Sequence, residues 1–337
     1  MILWRAGESD SCAERTRPAG PVPRQSRPLR CGVRVVVVFN PHSGAGRAQH
    51  LAHFYAHRLS HEGFGVDLCC SHGPASPHTT AFASVAASLT SDDAVLVAGG
   101  DGTIHRILPS LLDSGAALCQ LPAGTENLFA REFGSPSSPE SVASAILNRR
   151  RRHADVGNLA GTPFALMAST GPDASIIRRL DARRSGPITH LDYITPILHE
   201  FLNPSLPLLS VEADGLPWIS HRRGMLILAN SRHYAWRLNP CRSASCSDGQ
   251  LDAVFLAGDS SPDMVRWAVA HLCTYPEHSP ADSLTAQASA FRVTNHSLDV
   301  HAAWQADGEL VTNPQIRNGQ AMNVYTDSRK LSTLICS

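Results

Sequence analysis

The sequence predicts an α/β fold with an N-terminal domain built on a parallel sheet and a C-terminal, β-rich domain that is sandwich-like. The run Val33–Phe39 is almost entirely β-branched, which is typical of a buried parallel strand. Strand-like and helix-like segments then alternate to about residue 154, whereas later apolar runs are shorter and are interrupted by Gly, Pro and Asp. With 337 residues, 43% of them apolar, the chain is long enough to form two cores.

Four β–α units account for the N-terminal domain. Tyr55 and Leu59 belong to an apolar stripe at helical spacing, and Ile104 and Leu111 belong to another. The segment Ser138-Pro139-Glu140 has the capping pattern that begins a further helix. The strands are predicted at Val33–Phe39, Val66–Cys70, Ala94–Ala98 and Ala117–Leu121. Such units imply a parallel sheet whose ligand-binding turns lie at its carboxyl edge.

The C-terminal domain is predicted from shorter runs. Its strands are expected at Phe164–Ser169, Leu208–Ala213, Gly224–Ala229, Leu251–Leu256, Phe291–Thr294 and Leu298–Ala302. Helices are expected at Asp173–Leu180, Leu191–Phe201 and Pro262–Cys273. The predicted boundaries are a disordered, Arg- and Pro-rich leader over residues 1–32, a first domain over 33–154, a second over 155–325 and a tail over 326–337.

The composition excludes several kinds of chemistry. Lys330 is the only lysine and lies in the polar tail, so a Walker-type phosphate loop and a Schiff-base mechanism both lack their lysine. A bound phosphate must therefore be held by backbone amides, arginine or a metal ion. The nine cysteines form no C-x-x-C pair, so we expect neither structural zinc nor disulfides. The sequence has no run of eighteen apolar residues and no secretory signal, which predicts a cytoplasmic protein.

Residues 99–103 read Gly-Gly-Asp-Gly-Thr and follow the apolar run Ala94–Ala98 directly. Glycines allow the backbone to approach a ligand closely, and the helix that follows presents its partial positive end to that ligand. Such a turn suits a polyphosphate. The alternative is a tight strand-to-helix turn that binds nothing, which the motif alone favours less.

Two further turns follow predicted strands in the same way. One is Asn40-Pro41-His42-Ser43-Gly44-Ala45-Gly46-Arg47, and the other is Pro122-Ala123-Gly124-Thr125-Glu126-Asn127-Leu128. Thr125 and Asn127 could cap a helix or could contact a nucleotide. Because the carboxyl ends of parallel strands meet at one edge of a sheet, one nucleotide lying across three turns explains them together.

The three turns, in this order and spacing, resemble the catalytic domain of the diacylglycerol kinase family, which includes bacterial soluble lipid kinases and sphingosine kinases and is related to NAD kinases. Later segments are similar to landmarks of the family's second domain: Gly171-x-Asp173-Ala174, Ser247-Asp248-Gly249-x-Leu251 and Asp307-Gly308-Glu309. The resemblance covers roughly residues 33–325. It implies a nucleotide-binding N-terminal domain, a β-rich lipid-binding domain and a cleft in which ATP and a lipid meet.

The resemblance also assigns roles to particular residues. The ATP phosphates fall at Gly100–Thr103, Asp101 organises Mg²⁺, and Glu309, with Asp307 as second choice, is the base that takes the proton of the lipid hydroxyl. The remaining nucleotide contacts fall at Asn40, Ser43, Gly44, Ser71, Gly99, Arg106, Thr125 and Asn127. Taken without the resemblance, Asp307-Gly308 is typical of a hairpin turn.

The loop Ser245–Gln250 resembles a place where bacterial members hold a structural metal. The resemblance assigns the ligands to Ser245, Asp248 and Gln250. The alternative is an ordinary Asp-Gly turn before the strand at Leu251–Leu256.

Three positions depart from the family pattern. His105 and Arg106 stand where the family has an Asn and an acid, and Leu128 stands where an Asp is common. Arg106 either binds a phosphate directly or indicates a weakened enzyme.

The sequence therefore predicts an ATP- and Mg²⁺-dependent kinase of a lipid hydroxyl, with diacylglycerol or a sphingoid base as acceptor and a role in lipid metabolism such as phospholipid biosynthesis. Three alternatives stay open: an NAD-kinase-type enzyme, a Rossmann oxidoreductase suggested by Gly44-x-Gly46 with Asp67, and a non-catalytic relative that binds nucleotide or lipid. We expect a membrane lipid as partner, no nucleic acid and no assignable oligomeric state. Peripheral membrane contact or a solvated surface would explain four arginine groups: Arg149–Arg152, Arg178-Arg179, Arg183-Arg184 and Arg222-Arg223.

Overall fold

The computed structural model describes residues 32–71, 81–182, 190–234, 239–273, 283–297, 303–312 and 320–336. In this part of the chain the strands form a six-stranded, mostly parallel sheet and an eleven-stranded antiparallel sheet. The predicted leader lies outside the described residues except for Gly32, and the predicted strand at Leu298–Ala302 also lies outside them.

The N-terminal sheet contains four parallel strands in the order β2-β1-β3-β4. They are β1 (Arg34–Phe39), β2 (Gly65–Cys70), β3 (Ala94–Gly99) and β4 (Ala117–Pro122). The predicted parallel α/β domain is thereby confirmed. The pairing order places the turns after β1, β3 and β4 side by side.

Helices cover both faces of this sheet. They are α1 (Arg47–His61), α2 (Ala81–Ala86), α3 (Asp101–Ser114), α4 (Leu128–Phe133) and α5 (Pro139–Leu147). Val36 packs in one core with Phe82 and Ile104, whereas its neighbour Val35 packs in the other with Leu59 and Val142. Successive side chains of a strand point to opposite faces, so the all-valine stretch of β1 supplies both cores.

Two further strands complete this sheet: β5 (Arg151–Ala154) and, from the far end of the chain, β17 (Leu331–Leu334). β17 pairs with β4 in parallel and with β5 in antiparallel fashion. The segment predicted as a tail therefore contributes a buried strand to the N-terminal sheet, and Lys330 forms an ion pair with the buried Asp155. Only two apolar side chains in four residues, Leu331 and Leu334, mark β17 in the sequence, and the residues it pairs with lie 177 to 215 positions earlier in the chain.

The C-terminal sheet is antiparallel and β-rich, as predicted. Its strands are β6 (Gly157–Leu159), β7 (Thr162–Phe164), β8 (Met167–Thr170), β9 (Leu208–Ala213), β10 (Leu216–Ala229), β11 (Leu251–Ala257), β12 (Ser283–Ala288), β13 (Ala290–Asn295), β14 (Trp304–Ala306), β15 (Glu309–Leu310) and β16 (Ala321–Thr326). It bends into a half-barrel rather than forming two separate sheets. The long strand β10 pairs with β9 along its first part and with β8 and β11 along its second. Bulges near His221, whose φ is +45°, allow the bend.

Three helices accompany this sheet: α6 (Pro172–Ala182), α7 (Ile194–Leu202) and α8 (Ser261–Cys273). α6 packs against β8, β14 and β15, and α7 packs against α6 and α8. The three predicted helices are thus present with small shifts of their ends. In the described ranges, no helix combines the length and the apolar character needed to cross a membrane.

Candidate active site

The three predicted turns meet at the carboxyl edge of the N-terminal sheet. Asn40 N donates to Ala98 O at 3.2 Å, which joins the first turn to the end of β3. Ala123 N donates to Gly99 O at 3.2 Å, which joins the third turn to the second. The sequence argument that these turns share one edge is borne out by these contacts.

Glycines are required where the turns touch. A Cβ on Gly124 would lie 2.5 Å from Gly100 Cα, and a Cβ on Gly44 would lie 2.6 Å from Ala123 O. Gly44 also has a φ of +59°, a conformation that L side chains rarely adopt. The edge therefore presents closely packed backbone with few side chains, which suits a ligand bound by N–H groups.

Asp101 ties the second turn to α4. Its carboxylate oxygens accept hydrogen bonds from Leu128 N and Phe129 N, both at 2.9 Å, and so satisfy two N–H groups at the start of that helix. Burial raises the pKa of Asp101 above its ordinary value. These two N–H donors lower it in part, and the nearby Asp307 and Glu126 carboxylates raise it further.

Asp307 belongs to the hairpin turn between β14 and β15. Asp307 and Gly308 have φ values of +51° and +83°, as a two-residue hairpin turn of type I′ requires. The Asp307 carboxylate is 3% exposed and accepts the N–H groups of three consecutive residues, Ala165, Leu166 and Met167, at 2.8 to 3.1 Å. These bonds make Asp307 a fixed buried acceptor.

Glu309 reaches the glycine turn from the other domain. A Cβ placed on Gly102 would overlap Glu309 Oε1, so the carboxylate lies directly against the backbone of residue 102. Glu309 is half-buried, as is Gly102. The structure thus brings together two residues that are 207 positions apart and that the sequence assigned to one site.

His105 connects the same two segments. Its Nδ1 lies 3.3 Å from Asp307 Oδ2, and its side chain is 14% exposed. Arg106 is half-buried one residue further along α3. The unusual residue at position 105 therefore faces the hairpin turn of Asp307 and Gly308.

The other predicted nucleotide contacts line the turns in different ways. Asn127 exchanges two hydrogen bonds with Gly124 through its amide, both at 2.8 Å, and so shapes its own turn. Asn40 Oδ1 accepts from His42 N at 3.0 Å, and Thr125 is exposed. Ser71 and Thr103 are buried, and Ser43 is half-buried.

Glu126 is a residue of the site that the sequence analysis did not assign. It is half-buried, lies close enough to Asp101 to raise the pKa of Asp101, and pairs with Arg131 at 3.5 Å. The sequence signal for Glu126 was its position in the third turn, two residues before Leu128, where the family commonly has an Asp.

The loop Ser245–Gln250 holds its carboxylate with protein donors. Asp248 accepts from Gln250 N at 3.0 Å and from Gln287 Nε2 at 2.9 Å, and Ser245 Oγ lies 3.2 Å from Ser247 Oγ. Across the described part of the chain, no three His, Cys, Asp or Glu side chains gather as metal ligands would. The predicted ligand set of Ser245, Asp248 and Gln250 therefore contains one carboxylate, and the metal site stays a prediction.

Comparisons with known proteins agree with this geometry. Residues 34–159 match the model of the diacylglycerol kinase catalytic domain. A diacylglycerol kinase of Mycobacterium tuberculosis (strain CDC 1551 / Oshkosh) is 32% identical over 241 residues, covering 69% of this chain and 76% of the relative. A diacylglycerol kinase of Bacillus subtilis (strain 168) is 26% identical over 250 residues, covering 73% and 80%.

Solved structures support the fold. The crystal structure of a diacylglycerol kinase from Bacillus anthracis str. Sterne has a TM-score of 0.62 at 15% identity and covers 89% of this chain and 96% of its own. The chain is therefore a two-domain α/β protein with the architecture of that class. It belongs to the diacylglycerol kinase catalytic-domain family.

Proposed function

We propose that this protein is a lipid kinase that transfers the γ-phosphate of ATP to the hydroxyl of diacylglycerol or a related lipid. The observation that carries the proposal is the position of Glu309 against Gly102. This contact joins a carboxylate of the β-rich domain to the glycine turn of the nucleotide domain. Phosphoryl transfer needs such convergence, because it depends on positioning and charge neutralisation more than on covalent help from the protein.

The phosphates of ATP would bind on the amides of Gly100–Thr103. Gly100 and Gly124 pack against each other, and a Cβ on either would meet the backbone of the other, so the two turns together form a cradle of backbone groups. Asp101 and Glu126 supply hard oxygen donors beside this cradle, which fits Mg²⁺, since Mg²⁺ is commonly held by one or two carboxylates and the substrate phosphates. When bound, Mg²⁺ would neutralise charge on the phosphate oxygens.

Glu309 would act as the general base. The lipid hydroxyl gives its proton to the Glu309 carboxylate as its oxygen forms a bond to the γ-phosphorus, and the bond between that phosphorus and the β–γ bridging oxygen breaks. ADP and the phosphorylated lipid are the products. His105 on α3 contributes a hydrogen-bonding group to Asp307, and Arg106 adds a positive charge to the same helix.

The lipid acceptor would be reached at a membrane surface. α7 has its only acidic residue, Glu200, fully buried against Arg179 at 3.2 Å, while Ile194, Leu198 and Leu202 point outward and are more than half exposed. A helix with its charge inside and its apolar residues outside is suited to contact with a bilayer.

The arginine groups give less support to membrane contact than α7 does. Arg149 pairs with Asp92 at 3.2 Å, and Arg152 stacks over Phe133 at 4.8 Å, so members of the run 149–152 make contacts within the protein. Arg183-Arg184 lie outside the described residues.

The proposal is tested by incubating the purified full chain with Mg²⁺, labelled ATP and, separately, diacylglycerol in mixed micelles, a sphingoid base in micelles, or NAD. We expect a labelled lipid from one of the lipid acceptors. Label on NAD instead would select the NAD-kinase-type alternative. ATP binding with no labelled acceptor would select the non-catalytic alternative. The oxidoreductase alternative is not favoured, because the Asp67 carboxylate pairs with Arg34 at 2.9 Å.

A further inference from the structure

The hairpin turn that carries Glu309 is held firmly on one side. Asp307 is fixed by the three N–H groups of residues 165–167, and Gly308 N donates to Gln305 Oε1 at 2.8 Å. Asp307 N also donates to Met167 O at 2.9 Å. All of these partners belong to the β-rich domain. Ala165, Leu166 and Met167 also lie in the same apolar core as Ile104 and Leu108 of α3, so packing already joins the turn to that helix, and a hydrogen bond from α3 would add a fixed direction to that packing.

His105 supplies such a hydrogen bond from α3. It lies on α3 one turn after Gly102, and its Nδ1 is 3.3 Å from Asp307 Oδ2. Asp307 and Glu309 are two residues apart in a tight turn, so a bond at Asp307 restrains the carboxylate of Glu309. The start of α3 therefore contacts this hairpin at two places. Gly102 lies against the Glu309 carboxylate, and His105 contacts Asp307.

We propose that His105 is a positioning residue for phosphoryl transfer: its Nδ1–H holds the Asp307-Gly308 turn so that the Glu309 carboxylate stays over Gly102. The inference rests on the proposed function and adds to it the residue that aligns the base. His105, which departs from the family pattern, then contributes to the site and does not indicate a weakened enzyme.

The chemistry of the contact supports a donor at this position. An ionised Asp307 only accepts hydrogen bonds, so the partner atom must carry a hydrogen. An asparagine at position 105 would place its amide Nδ2 the same number of bonds from the backbone as Nδ1 of histidine. Asparagine, the residue common in the family, can therefore make the same bond, whereas alanine and leucine cannot.

The test compares H105A, H105L and H105N with the wild-type full chain in the lipid kinase assay. We expect H105A and H105L to lower kcat about ten- to a hundredfold, the size of loss that misplacing a catalytic group causes, with KM for ATP changed less than about threefold. We expect H105N to retain kcat within about threefold of wild type. H50A, which removes an exposed histidine of α1, is the matched control and should resemble wild type.

A second measurement does not depend on activity. Hydrogen exchange of the amides of residues 165–167 and 308 should be faster in H105A and H105L than in wild type or H105N, at unchanged exchange of β1 and β3. This readout separates the inference from the proposed function. If wild type transfers no phosphate while exchange responds as stated, the kinase proposal is contradicted, and the part of the inference that His105 holds the Asp307-Gly308 turn is retained.

Three results would overturn the inference. One is H105A or H105L with wild-type kcat. Another is H105N as impaired as H105A, or more active than wild type by tenfold or more. The third is unchanged amide exchange at residues 165–167 and 308 in folded H105A and H105L.

Discussion

Two Asp-Gly turns of this chain look alike in sequence and differ in the structure. Asp101-Gly102 follows β3, and Asp248-Gly249 precedes β11. The Asp101 carboxylate leaves its own turn to bond the first two N–H groups of α4, and it lies near two other acids. The Asp248 carboxylate bonds Gln250 of its own loop and Gln287 of the adjacent strand β12.

The surroundings of the two turns decide which of them is a candidate site. Around Asp101, three turns and a carboxylate from another domain converge on closely packed backbone. Around Asp248, the pKa of the nearby Asp252 is raised by burial and, to a smaller degree, by the charge of Asp248, and the Asp155 carboxylate accepts a hydrogen bond from Gly249 N at 2.6 Å. Both turns have partners from distant segments, but only the first lies where three turns meet at the carboxyl edge of a sheet, beside a carboxylate of the other domain.

Removal of the base should have the largest effect. We expect E309Q to lower phosphate transfer to lipid about 10²- to 10⁴-fold, because a positioned general base contributes about that much. ATP binding, measured by calorimetry, should stay close to wild type. A variant E309Q with more than a tenth of wild-type transfer would contradict the assignment of Glu309.

Filling the space at Gly102 should displace the same carboxylate without removing it. We expect G102A to lower kcat about tenfold or more, since the added Cβ overlaps Glu309 Oε1 and small misplacements are costly. G32A is the matched control, because a Cβ at residue 32 meets no atom within 4 Å. Equal kinetics of G102A and G32A would show that the contact does not matter.

Asp101 should also matter for stability. In D101N, one acceptor oxygen becomes an NH₂ group that faces a backbone N–H at the start of α4. We expect a loss of about 1–3 kcal/mol in the free energy of unfolding, the usual cost of an unsatisfied buried partner. Urea unfolding measures it. A loss below about 0.5 kcal/mol would mean that the cap contributes little.

The raised pKa of Asp101 gives a pH test with a definite sign. The folded state holds the Asp101 proton more tightly than the unfolded state does, so the contribution of this group is fully present below the unfolded value of 3.8 and is lost as pH rises through the folded pKa. Compared with D101N, wild type should therefore gain stability on acidification through that window. Parallel pH dependences of the two unfolding free energies would contradict the shift.

The smallest effect is expected at Asp248. D248A removes two hydrogen bonds near the surface, which should cost about 1 kcal/mol in the free energy of unfolding. Kinase activity should stay within about twofold of wild type. Addition of Mg²⁺ should stabilise wild type and D248A equally. A Mg²⁺-dependent rise in melting temperature that D248A abolishes would support the predicted metal site at Ser245, Asp248 and Gln250.

The sequence was most informative where local pattern and fold agree. β1, β3 and β4 are short apolar runs ended by turn residues, and parallel pairing then dictates that their turns share an edge. Glu309 was assigned to this edge only through the family resemblance, because nothing near residue 309 indicates a partner at residue 102.

Features that depend on distant pairing were not predictable. β17 has two apolar side chains in four residues, and its place in the N-terminal sheet follows from β4 and β5. The bend of β10 depends on bulges that local composition does not mark. The bond between His105 and Asp307 joins segments 202 residues apart, so the sequence indicated only that residue 105 was unusual.

Calorimetric titration of ATP with Mg²⁺ into the full chain and into G124A measures whether the glycine turns together form one triphosphate site. A Cβ on residue 124 would lie 2.5 Å from Gly100 Cα and force two of the turns apart. The account predicts binding to wild type and at least about tenfold weaker binding to G124A, a change of about 1.4 kcal/mol or more. No heat with folded wild type, or equal affinity of the two proteins, would contradict it.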